Sequence, residues 1–435
     1  MINEVSESYQ GLVARHLATR VVESLATSRI VNIVGPRQVG KSTMVEHQIP
    51  IAGYLTMDDD SLRTAVETDP YTVLSDYAQK NKGSGKPIVI DEVQRVPDIT
   101  LALKRIVDND RTLGQFLLTG SSDIFTAPKA MDSLAGRVST LKLAPFSAAE
   151  IMGKTQPCLL LDRVRAHPDG VPIGGLPATA AYSRAEAIDL MSRGGFPEIR
   201  SLPNRDRLPR YMDYLNSIIE KDVPALAEIR RTDALRRFIN QLGARTASEL
   251  NVAGMCDAVG VSWPTLNGWF DVLARLGIVH RLPAWTSTRT KREIKAPKIH
   301  MMDTGCATAI RSETTDSFSP TADPSALGAI VETFVFTELE KSLPLLDASW
   351  QLYHWRMKDR EVDIVAEAPG RRLALFEMKA AAAVSTSDFA HMDWFFENIA
   401  HAYTGTAFVV YLGERVLSFG PRKLALPLSM FWSYH

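Results

Sequence analysis

The sequence predicts an α/β protein with an N-terminal parallel sheet flanked by helices, a helical and winged-helix middle region, and a small C-terminal α/β domain. Three observations carry that prediction. The apolar run Ile30-Val31-Asn32-Ile33-Val34 feeds a glycine-bounded loop that opens a helix. A second apolar run, Pro87 to Ile90, ends in the acidic pair Asp91-Glu92. Two late strand patterns, Glu361 to Val365 and Leu373 to Lys379, set carboxylates beside a lysine. Short apolar runs alternating with helical periodicity are the pattern of a sheet covered by helices.

The elements follow in order. Residues 9 to 28 read as an amphipathic helix, with Leu12, Val13, Leu17, Val21, Val22 and Leu25 at helical spacing. The strand at Ile30 then runs into Gly35-Pro36-Arg37-Gln38-Val39-Gly40-Lys41-Ser42-Thr43, which reads G-x-x-x-x-G-K-S and is the phosphate-binding loop of a P-loop nucleoside triphosphatase. Glycines let successive amides turn toward a polyphosphate, and the following helix aims its positive end at the same anion. Lys41 is expected to reach the outer phosphates and Ser42 to offer its hydroxyl to magnesium. Parallel sheets present ligands at the carboxyl ends of their strands. Asp91 is therefore expected to hold magnesium, largely through its water, and Glu92 to polarise the attacking water.

A third strand, Gln115 to Thr119, exits through Gly120-Ser121-Ser122, making Thr119 and Ser121 candidates to feel the γ-phosphate. Arg137, after Ser133-Leu134-Ala135-Gly136, is suited to stabilising charge in phosphoryl transfer, the alternative being a surface ion pair.

The order of these features resembles the bacterial and archaeal ATP-binding proteins of the AAA superfamily that join a P-loop ATPase to a C-terminal domain of unknown function. The matching stretches are Gly35 to Thr43, Thr56-Met57-Asp58-Asp59, Ile88 to Pro97, Phe116 to Ser122, Leu134 to Arg137 and Ala144-Pro145-Phe146-Ser147. Gly194-Gly195-Phe196-Pro197-Glu198 and Asp303-Thr304-Gly305 look like signatures of the same family. The resemblance implies ATP binding and hydrolysis, with ATP and Mg2+ as the expected ligands, and an arginine that can reach the nucleotide of a neighbouring subunit. It names no pathway.

The organisation expected is an ATPase domain over 1–150, a linker and helical lid over 151–235, a winged-helix-like domain over 236–300 and a C-terminal domain over 301–435. Gly153 to Ser183 is broken by prolines and glycines and reads as a surface connection. Helical patterns resume at Arg184 to Arg193 and Arg207 to Ile229. Ser248-Glu249-Leu250 opens one helix, Gly260-Val261-Ser262 turns, and Trp263 to Gly277 makes a second. A strand over Ile278 to Trp285 and the basic stretch Thr286 to Lys295 complete a winged-helix spacing. Its second helix carries almost no basic residue besides Arg275, so partner docking competes with DNA binding.

In the C-terminal stretch, alternate residues of a strand share a face, so Glu377 and Lys379 point together and Asp363 can lie beside them. With helical Glu332, this resembles the D…(D/E)-x-K core of a large nuclease superfamily, in which carboxylates hold magnesium and the lysine orients water. Residue 362 is Val where that superfamily often has Pro.

Composition sets the outer bounds. The chain has 435 residues, 45% hydrophobic and 23% charged, with a net charge of −1, so nucleic-acid or membrane binding would need a local patch. Three widely spaced cysteines, Cys158, Cys256 and Cys306, argue against a disulfide framework and fit a reducing cytoplasm. Neither a signal segment nor a membrane-spanning run is expected. Three functions remain in competition: an ATPase whose nucleotide state acts on DNA or a protein partner, an ATP-regulated magnesium-dependent nuclease, and a nucleotide-dependent signalling switch.

Overall fold

Five short runs make the first sheet, and the three central ones are buried on both faces, as a doubly covered parallel sheet requires. In the computed structural model they are β1 Ile30–Val34, β2 Gly53–Thr56, β3 Ile88–Asp91, β4 Phe116–Gly120 and β5 Val138–Lys142, parallel throughout, in the order β2-β3-β4-β1-β5. The structure describes residues 12–120, 134, 136–174, 176–179, 182–226, 229, 231–288, 292, 295–319 and 324–433. Ser121, Ser122, Ser133, Ala135 and the expected wing residues Arg289 to Lys291, Glu293 and Ile294 lie outside them.

Around this sheet run α1 Leu17–Leu25, α2 Lys41–Gln48, α3 Asp60–Thr68, α4 Pro70–Lys80 and α5 Ile99–Asn109. Alternation along the strands decides what each helix meets. Ile30, Ile88, Ile90, Phe116 and Leu118 share one face and pack with Leu74, Val66, Leu103 and Val107 of α3–α5. Val31, Ile33, Val89 and Leu117 take the other face and are equally buried. Asp91, Thr119 and Tyr54 have the parity of that second set, through the registers Tyr54↔Val89, Val89↔Leu117 and Ile33↔Thr119. The helix expected from residue 9 is shorter within the described residues, starting at Leu17.

The chain divides into two units, Met1–Phe146 and Ser147–His435. In the second, the stretch Gly153 to Ser183 corrects the expectation of a surface connection. It contains the helix Leu160–Ala166, whose Leu160, Leu161 and Val164 are buried, and Val171 donates its amide to Thr406 Oγ1. The breakers bound a seven-residue helix, and its apolar side chains were enough to pull the segment into the core.

Next come Thr232–Ala244, β6 Ser248–Glu249, the helices Val252–Val259 and Trp263–Arg275, β7 Val279–Leu282 and β8 Lys298–Met301. The three strands form an antiparallel sheet ordered β6-β8-β7. Ser248 and Glu249 therefore belong to a strand, and the helix starts at Val252, where the Asn251 side chain accepts from Gly254 N.

The rest of the unit is the helix Pro324–Ser342 and a six-stranded mixed sheet. Its strands are β9 Gln351–Met357, β10 Arg360–Ala368, β11 Arg372–Lys379, β12 Thr404–Tyr411, β13 Leu417–Gly420 and β14 Lys423–Pro427, ordered β13-β14-β12-β11-β10-β9. A register shift between Val362 and Val365 lets both valines enter one core with Leu373, Leu375 and Val409. Among the described residues, no helix is long and apolar enough to cross a membrane.

Candidate functional site

At the carboxyl end of β1 the chain turns through Gly35 and re-enters a helix at Lys41. A Cβ on Gly35 would lie 2.1 Å from Leu143 O, so only glycine lets the loop pass this close to the chain beyond β5. Gly40 caps α2 with φ at +89°, the left-handed region that glycine enters without cost from a side chain. The Lys41 ammonium lies along the loop, donating to Gly35 O at 2.8 Å and Pro36 O at 2.9 Å. It is almost fully buried.

Beside the loop, Asp91 gathers three hydroxyls. Ser42 Oγ donates to its Oδ2 at 3.0 Å and Tyr54 OH to the same oxygen at 2.5 Å, while Thr119 Oγ1 donates to Oδ1. Burial, then the Asp91 carboxylate, pushes the Tyr54 phenol far above its ordinary range, so it stays a donor. Glu92 follows in the left-handed region, φ +54°, a conformation that costs a side-chain-bearing residue about 1–3 kcal/mol and is concentrated at functional sites. The Gln94 side-chain amide donates to its carboxylate.

The structure thus brings together Gly35, Lys41, Ser42, Asp91, Glu92 and Thr119 at one edge of the sheet. Thr119 is fully buried and gives its hydroxyl to Asp91, so here it meets the carboxylate in place of the phosphate position expected for it. Arg137 is not brought to this edge. It precedes β5, where Val138 pairs with Ile30 and Lys142 with Val34, so it lies at the amino ends of the strands. There its guanidinium grips Asp108 through Nε at 2.6 Å and a terminal nitrogen at 3.0 Å, with Arg29 as second partner. Hydrogen bonding from Arg137 holds the Asp108 carboxyl below its usual range.

Two residues of this site were missed from sequence. Tyr54 is one. Arg15 is the other: almost fully buried, it donates to Val39 O of the loop at 2.7 Å and to Ala144 O at 2.6 Å, and stands over the Phe146 ring. Val39 and Ala144 lie 24 and 129 positions away, beyond any local signal.

In the second unit the expected tetrad divides. Glu332 and Asp363 turn to a residue that sequence reading passed over, Lys298 of β8. Its ammonium lies 2.7 Å from Glu332 Oε1, 2.6 Å from Glu361 Oε1 and 3.4 Å from Asp363 Oδ1. Glu377 and Lys379 pair with each other at 3.3 Å, and Lys379 also meets Asp388. Met378 N donates to Asp363 Oδ2 at 2.9 Å.

Burial, then the Asp363 charge, pushes Glu377 up to about 8. Lys298 rises despite burial, because Glu332, Asp363 and Glu361 all favour its charge. Among the described residues, no group of three or more His, Cys, Asp or Glu side chains is arranged to hold a metal ion. The carboxylates expected to take magnesium hold a lysine, and they do not fit the metal as arranged.

The helix Trp263–Arg275 exposes Asp271 and Arg275 as its only charges. Arg281 neutralises Asp271 at 2.6 Å and covers the Phe270 ring.

Comparison with known proteins divides along the same lines. Residues 27–152 match the family model of the AAA domain. Residues 184–317 and 327–431 match the models of two domains of unknown function, DUF8612 and DUF4143. The chain is similar to two uncharacterized proteins, Rv2008c of Mycobacterium tuberculosis and Mb2031c of Mycobacterium bovis. Each is 27% identical over 375 residues, 86% of this chain and 75% of the relative.

Solved structures with likeness to it include the Walker-type ATPase PABY2304 of Pyrococcus abyssi, at TM-score 0.40 and 16% identity over 70% of this chain and 99% of that one. PCH-2 of C. elegans aligns at TM-score 0.24 and 11% identity over 63% of this chain and 71% of that one. The N-terminal unit is an AAA-like P-loop domain.

Proposed function

We propose that the chain is a magnesium-dependent ATPase whose nucleotide state governs the second unit and, through it, a protein partner. The single observation that carries the reading is the 3.0 Å hydrogen bond between Ser42, first turn of the loop's helix, and Asp91 at the end of β3. A hydroxyl and a carboxylate held at that spacing beside a phosphate loop fit a magnesium ion that keeps most of its waters and takes its other oxygens from the triphosphate. Bound there, the ion would neutralise charge developing on the phosphates.

This chain's own residues do the remaining work. Loop amides and Lys41 hold the β- and γ-phosphates, and Lys41 exchanges the carbonyls of Gly35 and Pro36 for phosphate oxygens. Glu92 lies next to Asp91 in chain order and orients water, with Gln94 fixing its carboxylate. The choice of ATP over other triphosphates rests on the AAA match. Arg137, bound to Asp108 at the amino ends of the strands, has no part in phosphoryl transfer within its own chain.

A protein partner is favoured over DNA by the nearly neutral exposed face of Trp263–Arg275, since phosphate contacts need Lys or Arg. A nuclease would need a divalent cation among Glu332, Asp363 and Glu377, where Lys298 stands against it. Strong stimulation of turnover by DNA would favour the nucleic-acid or nuclease reading over a protein partner or a signalling switch.

Two variants test the proposal. Lys41→Ala should abolish calorimetric binding of Mg·ATP. Glu92→Gln should bind ATP normally and lose turnover by about a hundredfold or more. Normal hydrolysis by Glu92→Gln would remove Glu92 from the reaction, and unaltered binding by Lys41→Ala would remove the phosphate loop.

A further inference from the structure

Lys298 is the least expected charge in the molecule. A lysine that is 2% exposed is rare unless paired, and this one is paired three times over. An ammonium has three protons, and three carboxylates from two separate segments stand around it: Glu332 on the helix Pro324–Ser342, and Glu361 and Asp363 on β10. Lys298 itself comes from β8 of the small antiparallel sheet. Its strand neighbour His300 is fully buried, stacks on Phe336 at 4.3 Å and lies 3.8 Å from Glu332. His354 of β9, almost fully buried, adds a bond to Ala296 O two residues before Lys298.

We infer that Lys298 is a built-in cation, its ammonium standing where a divalent ion would otherwise sit among Glu332, Glu361 and Asp363, and thereby fastening β8 to the C-terminal sheet. Three observations support this. First, the carboxylate oxygens surround the nitrogen at 2.6 to 3.4 Å, the reach of N–H···O bonds, whereas magnesium draws oxygens to about 2.0–2.1 Å.

Second, paired carboxylates in a buried place repel unless a cation or proton relieves them, and Lys298 supplies that relief from within the chain. Arg356 adds a weaker contact to Glu361 at 3.8 Å. Third, the cation is tethered. It cannot diffuse away, so a dissolved divalent ion must displace a charge that is always present. The C-terminal carboxylates therefore act as a receptor for a lysine, and the arrangement that resembles a nuclease centre holds two elements of the fold together.

The test uses the full chain. Ferrous iron with ascorbate and peroxide cuts backbone near wherever the metal binds, and mass spectrometry maps the cuts. In the wild-type protein no cut is expected near residues 332 or 361–363. Lys298→Met should gain cuts there, and adding Asp363→Asn should remove them. Cuts near 363 in the wild type overturn the inference, and so does a folded Lys298→Met protein that gains none.

Should Lys298→Met fail to fold, Lys298→Arg, which keeps a tethered positive charge, takes its place. It should fold and stay uncut near residues 332 and 361–363, and cuts there would overturn the inference.

Discussion

Gly35→Ala offers the sharpest test of the phosphate loop, because both atoms that would collide are backbone. The added Cβ would meet Leu143 O at 2.1 Å and its carbonyl carbon at 3.1 Å. Reaching ordinary contact needs a displacement of about 1.3 Å, which no rotamer change supplies. Leu143 N is bonded to Val34 O at 2.8 Å, so the displacement pulls directly on the junction of β1 and β5. Overpacking of this kind costs about 1–3 kcal/mol and a weakened strand bond about 1 kcal/mol more. At roughly 4 °C per kcal/mol for a unit of this size, the first unit should melt on the order of 10 °C lower.

Calorimetry with and without Mg·ATP should show that loss, together with the disappearance of the nucleotide-induced rise in Tm. Gly53→Ala is the matched control, since an added Cβ there meets nothing within 4 Å and should stabilise by about 0.4–1 kcal/mol, the opposite sign. If Gly35→Ala melted and bound ATP like the wild type, the close approach at Leu143 would be wrong and the loop geometry with it.

Arg137→Ala should keep wild-type affinity for Mg·ATP at protein concentrations where the chain is monomeric, checked by calorimetric titration; a weakened affinity there would place Arg137 beside its own nucleotide after all. The acid side of the stability profile should carry a signature of His354, whose imidazole is brought down to about 4 by burial and then by the Lys298 charge. Above pH 6.5 neither folded nor unfolded chain protonates it, and stability is full. Between pH 6.5 and about 4 only the unfolded chain gains the proton, so stability falls by about 1.4 kcal/mol per unit. Urea midpoints of His354→Gln should lose that part of the slope, and an unchanged slope would refute the assignment.

Legibility in the sequence followed the distance between partners. The phosphate loop and Asp91-Glu92 could be read because each is contiguous and sits at a strand end, where apolar periodicity stops. Tyr54 could not, because its value to Asp91 comes from the register of β2 against β3. Arg15 and Lys298 depend on partners tens of residues away, and a lone basic residue gives no hint in the sequence of burial. Arg137 misled for a related reason: a glycine-arginine pair looks alike at either end of a strand, and only the pairing of Val138 with Ile30 settles which end it is. The helix Leu160–Ala166 was hidden by length, being two turns long between breakers.

What a polar motif can do depends on what its atoms already hold. Asp303, in the signature Asp303-Thr304-Gly305, accepts from Gly195 N at 2.7 Å, Tyr211 OH at 3.0 Å and Cys306 N at 3.1 Å. It is buried and its capacity is met by the fold, so the two middle signatures staple one loop to one helix start. Asp91 also accepts three donors, yet they are hydroxyls, and a hydroxyl can turn from a carboxylate to a metal-bound water without moving the backbone. Lys41 is likewise held by carbonyls that a phosphate can replace. Lys298 is held by carboxylates, and in a buried place that exchange would strand two or three negative charges. Exchangeable partners thus mark the N-terminal loop as the place where ligand binding can alter the protein, while the same residue types in the second unit are committed to holding it together.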